Sequence, residues 1–72
     1  MANTAQAQST STPYRVTLTD PSGHQWLADE PTDKGGQDTA PNPVQILLSA
    51  LGACTTITLE MYANLKGIKL DH

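Results

Sequence analysis

Cys54 is the one residue in this sequence whose type by itself offers nucleophilic or redox chemistry. A thiolate attacks electrophilic oxygen or sulfur and is regenerated by thiol exchange, provided that a helix N-terminus or a nearby cation lowers its pKa. The residues at helical spacing around it, Ala50, Leu51, Ile57 and Met61, are apolar, with Thr58 the polar exception. That setting describes a buried, inert cysteine. Arg15 is the sole arginine, so it is the only guanidinium that could hold a thiolate; taken alone it reads as a solvated strand residue. His24 could act as a general base, but it follows a turn, where lone histidines are solvated. The Gly35-Gly36 pair lacks the spacing and the following lysine of a phosphate-binding loop and reads as loop flexibility. Trp26 reads as the anchor of a small core, and Met61 as helical packing.

Composition narrows the classes. Seventy-two residues allow a single domain, and one this small usually needs a disulfide, a metal or a partner to be stable. One cysteine excludes an internal disulfide, and neither His24 nor His72 stands at zinc-ligand spacing from it, so no metal site is expected. A net charge of −3 without a basic run argues against nucleic acid. The first residues lack the cationic start and apolar stretch of a secretory leader, and a cytoplasmic location is the default expectation, in keeping with a free thiol.

Elements that would position these residues can be read along the chain. Residues 1–13 are Ala, Gln, Ser and Thr almost throughout, the composition of a disordered tail. Tyr14 to Thr19 alternates with period two and predicts a strand with Tyr14, Val16 and Leu18 on one face. Asp20-Pro21-Ser22-Gly23 supplies turn residues, and His24 to Ala28 should pair back antiparallel. Asp29 to Asn42, with two prolines and two glycines, reads as a long surface loop. Asn42 and Pro43 form a helix start, Gly67 a stop, and the interval predicts a helix roughly 36 Å long. Ile68 to Asp71 alternates again, like the beginning of a strand.

The helix carries one apolar stripe through Leu47, Leu51, Cys54, Ile57, Met61 and Leu65, and Val44, Ile46, Leu48, Leu59 and Tyr62 extend it around the cylinder. It is therefore expected to be buried on more than one side, with a partner subunit or further chain against the face the strands cannot cover. Ser49, Ala50, Gly52 and Ala53 would let another helix approach closely. Gln45, Ser49, Thr55, Thr56, Thr58 and Glu60 interrupt its apolar runs, which speaks against a membrane span.

Three stretches, taken together, resemble the OsmC/Ohr family of osmotically inducible and organic hydroperoxide resistance proteins. They are Leu27-Ala28-Asp29-Glu30-Pro31, Gly35-Gly36-Gln37-Asp38-Thr39-Ala40-Pro41-Asn42-Pro43, and the helix from Leu47 through Cys54 to Ala63. The likeness covers most of Tyr14 to Leu70, looks closest to the OsmC-like branch, and implies that residues 14–72 form the N-terminal half of such a domain. The implied fold is α+β: an N-terminal antiparallel β-meander, then one long buried central helix, in homodimers intertwined around that helix. Cys54 falls at the family's peroxidatic position. The implied chemistry is attack on an organic hydroperoxide, a sulfenic acid, a disulfide with a resolving cysteine, and reduction by a dithiol, with no cofactor.

The sequence departs from that pattern at several points. The resolving cysteine would lie beyond His72, so the expectation is a truncated chain with weak or no turnover. Val44 and Gln45 stand where catalytic members carry a glutamate, which makes Gln45 its candidate replacement. Nine residues nevertheless separate Gln45 from Cys54, which places them on opposite faces of a straight helix. Arg15 is carried over as the thiolate-stabilising arginine near the first hairpin. The alternative is a non-enzymatic dimerisation or small-ligand-binding module in which Cys54 only packs.

Overall fold

The computed structural model describes residues 3–69, and in it a three-stranded antiparallel sheet is followed by one long helix, an α+β arrangement. Strands β1 (Gln6–Ser9), β2 (Val16–Thr19) and β3 (Gln25–Ala28) lie in chain order across the sheet, and helix α1 runs Pro43–Lys66. Pairing aligns Ala7 with Leu18 and Leu18 with Trp26, and Ser9 with Val16 and Val16 with Ala28. Opposed residues of antiparallel strands share a face. Ala7, Val16, Leu18 and Ala28 therefore form an apolar face, and Pro43 and Ile46 from the first turn of α1 close over it.

The β2–β3 hairpin is made by the residues expected to make it. Gly23 donates its backbone N–H to the Asp20 carbonyl at 3.1 Å and has φ 91, a left-handed value natural to glycine. The Asp20 carboxylate accepts from the Ser22 and His24 backbone N–H groups, both at 3.0 Å, and lies 2.7 Å from His24 Nδ1.

Three local expectations differ from the structure. The tail proposed for residues 1–13 carries β1, because the open edge of β2 supplies hydrogen-bond partners to a polar segment with no hydrophobic period of its own. Tyr14 is outside β2: its φ is 69, and its side chain is 61% exposed instead of sharing the core face with Val16 and Leu18. The ring lies against Gly35, where an added Cβ would meet Tyr14 Cε2 at 2.9 Å. Of the strand expected at Ile68–Asp71, Ile68 and Lys69 are not in a strand, while Leu70 and Asp71 lie outside the described residues, as does His72.

Helix α1 starts and stops on local chemistry. Asn42 Oδ1 accepts from Gln45 N at 2.8 Å and Gln45 Oε1 accepts from Asn42 N at 3.1 Å, a reciprocal capping box ahead of Pro43 at the first helical position. At the other end Gly67 has φ 71, and the N–H groups of Gly67 and Ile68 return to the carbonyls of Asn64 and Ala63. This is a Schellman motif. Ser49 and Thr55 donate their hydroxyls to the carbonyls of Ile46 and Leu51, so these polar groups are satisfied within the helix itself.

The burial expected of this helix is not found. Ala63 is its one buried residue, and large apolar side chains stand in the open, Leu51 at 59% exposed and Leu65 at 82%. Strand length explains why. Four-residue strands span about 13 Å, so the sheet covers only the first turn or two of a 24-residue helix about 36 Å long. By length and composition α1 is also apolar enough to cross a membrane, with a mean hydropathy of 1.4 over its most apolar window.

Candidate functional site

The segment from Asp29 to Pro41, expected as a surface loop, is folded around one carboxylate. Its ends are pinned by backbone bonds from Asp29 N to the Pro41 carbonyl (3.0 Å) and from Asp38 N to the Glu30 carbonyl (3.1 Å). A single 3-10 turn, Thr32–Lys34, reverses the chain, and Gly35 caps it at φ 96. Gly36 is buried, and a Cβ there would run into the Glu30 carbonyl, so only glycine fits. Asp29, 1% exposed, sits inside the turn. Oδ1 accepts from Glu30 N at 2.8 Å, and Oδ2 accepts from the Thr39 hydroxyl at 2.7 Å and from Thr39 N at 3.2 Å. These bonds, the Thr39 hydroxyl foremost, hold the Asp29 carboxyl below the usual aspartate range despite its desolvation.

Arg15 joins this cluster. Its Nε donates to Thr39 Oγ1 at 3.1 Å, which ties the residue ahead of β2 to the loop that leads into α1. The guanidinium has no other partner among the described residues. Thr39 also lines an open cleft between β3 and the start of α1, together with Trp26, Leu27, Pro41, Ile46 and Ala50. Trp26, expected as a core anchor, is thus half-exposed at a cleft wall.

Cys54 lies about one helical turn beyond Ala50, roughly 6 Å further along α1 from the last helix residue that lines the cleft. It is free and exposed, not the buried packing residue that its apolar neighbours suggest. Those neighbours are themselves uncovered, so their character does not make an enclosed environment for the thiol. Gln45 is nine residues back along an uninterrupted helix, about 13.5 Å and half a turn away, with its side chain committed to the capping box. The structure therefore brings Arg15 to Asp29 and Thr39, and places Gln45 at the helix cap.

Neither Asp29 nor Thr39 stands out in the sequence as a chemistry-bearing residue. An aspartate immediately after a strand with a threonine ten residues on is compatible with a loop closed on its own carboxylate, but nothing local distinguishes it from solvated loop residues. No group of three or more His, Cys, Asp or Glu suited to a metal ion occurs among the described residues.

A family model described as OsmC-like protein matches residues 35–72, just over half of the chain, and so takes in Thr39, Gln45 and Cys54 but not Arg15 or Asp29. Comparison with curated proteins and with solved structures finds no match.

Proposed function

The chain belongs to the OsmC-like protein family, and from that premise we propose that it is a thiol-dependent peroxide-defence protein in which Cys54 is oxidised by organic hydroperoxides. The observation that carries this reading is the position of the thiol: it lies within the matched segment and is free and exposed on α1.

The thiolate sulfur attacks the terminal oxygen of the hydroperoxide and the O–O bond breaks. The alkoxide takes a proton and leaves as the alcohol, and Cys54 becomes a sulfenic acid. Condensation with a second thiol releases water and gives a disulfide, which a dithiol reduces by exchange. Cys54 is the single cysteine of these 72 residues, so the second thiol comes from outside them. Arg15 is the cation available to favour the thiolate, and a second copy of the chain packs along the uncovered stripe of α1.

Mass spectrometry after cumene hydroperoxide and dimedone tests the reading. Wild type should carry the sulfenic acid adduct on Cys54, and Cys54→Ser should carry none. A thiol that stays unmodified by the peroxide at pH 7 would sink it. The uncovered apolar face of α1 favours a second reading, a dimerisation or small-ligand-binding module in which Cys54 does no chemistry. That module predicts an unreactive thiol in a correctly assembled protein.

A further inference from the structure

We infer that Asp29 and Thr39 are positioning residues that fix the guanidinium of Arg15. Thr39 Oγ1 carries a single hydrogen, and at 2.7 Å from Asp29 Oδ2 that hydrogen is committed to the carboxylate, which can only accept. Oγ1 is then left with its lone pairs, so toward Arg15 it acts as an acceptor, which is what the Nε–H at 3.1 Å requires. Were the hydroxyl free to rotate, it could donate elsewhere and leave Nε to water. Burial of Asp29 at 1% exposure, with its other oxygen held by the Glu30 N–H, makes the anchor rigid.

Anchoring through Nε has a consequence for the rest of the side chain. The guanidinium is planar and its five donors form a rigid fork, so fixing Nε sets the plane while leaving both Nη groups unspent. Those Nη donors find no partner among the described residues and can meet an anion. The three residues come from separate places, Arg15 before β2, Asp29 after β3 and Thr39 ahead of α1, so the contact also registers the hairpin against the start of the helix. Neither Asp29 nor Thr39 acts on the thiol; any effect on Cys54 passes through Arg15, and this part rests on the peroxide reading above.

Because Arg15 is the sole arginine, its Nε–H signal in NMR is unambiguous. In wild type it should exchange with water more slowly than in the urea-unfolded chain, with Thr39→Ser retaining this protection and the near-isosteric Thr39→Val and Asp29→Asn losing it. Exchange as fast in wild type as in the unfolded chain overturns the inference, whatever the variants do. In kinetics, Thr39→Val and Arg15→Ala should each slow Cys54 oxidation by cumene hydroperoxide roughly tenfold, the value of one charge-assisted hydrogen bond. The double variant should be no slower than Arg15→Ala alone, and Thr39→Ser should recover most of the rate. Additive losses, or Arg15→Ala slowing the reaction while Thr39→Val does not, would refute positioning and leave the peroxide reading intact. If wild-type Cys54 is not oxidised at all, the peroxide reading fails while the Nε–H exchange still decides the role of Asp29 and Thr39.

Discussion

Two aspartates each order the loop around them, and both do so by accepting hydrogen bonds as carboxylates. Asp20 is held below the usual aspartate range chiefly by the His24 side chain, and Asp29 chiefly by the Thr39 hydroxyl. A carboxyl whose folded pKa lies below its unfolded value near 3.9 contributes stability that is fully present above that value. The contribution is lost as pH falls through the lower folded pKa. Thermal unfolding followed from pH 6 to pH 2 should therefore show a midpoint that drops below about pH 4. Asp29→Asn should flatten that drop in part, and adding Asp20→Asn should flatten it further. An acid dependence identical in wild type and Asp29→Asn would contradict the assignment. The Asp20 turn could be read in the sequence, because its donors lie within four residues. The Asp29 cluster could not, since Arg15 meets Thr39 across twenty-four positions and no local rule links them.

At the scale of elements, α1 shows how much can be set by residues next to one another. The sequence places its start at Asn42-Pro43 and its stop at Gly67, and the structure agrees, adding the Gln45 half of the capping box. Asn42→Ala removes the acceptor for Gln45 N and should cost about 0.5–2 kcal/mol, read as a lower thermal midpoint and loss of helical ellipticity. An unchanged midpoint would mean that the helix is held by packing and not by its cap. β1 makes the opposite case. Gln6–Ser9 has little strand propensity and every residue of it is exposed, so it exists through pairing with β2, which no reading of those four residues reveals.

The whole molecule is too open for its mass. A folded monomer of 7.7 kDa exposes about 4,300 Å², whereas this chain exposes 6118 Å². Its radius of gyration is 16.1 Å, against about 11 Å for a compact chain of this length. The excess area is about twice the roughly 800 Å² that one partner gives up in a standard interface. The hydroxyls of Ser49 and Thr55 are bonded to their own helix and need no partner from another chain. Light scattering should accordingly return about twice 7.7 kDa at micromolar concentration, and Leu51→Glu should shift the mass toward the monomer. A folded monomer in wild type would remove the case for a second copy. Capture by neutral lipid vesicles in preference to self-association would instead assign the face to a membrane surface, a reading that the length and hydropathy of α1 also admit.

By itself the sequence determined the hairpin turn, both ends of the long helix, the α+β order of elements and the family likeness. Each of these rests on turn and cap residues within a few positions of one another, or on a linear run of residue types. Tertiary structure decided that Asp29, Thr39 and Arg15 form one hydrogen-bonded group, that a polar segment pairs as β1, and that Cys54 is exposed on a helix its own sheet is too short to cover. The physical reason is that burial and long-range hydrogen bonding depend on what stands opposite a residue. A hydrophobic period announces that a face requires cover, but only the packed molecule shows whether its own chain provides it.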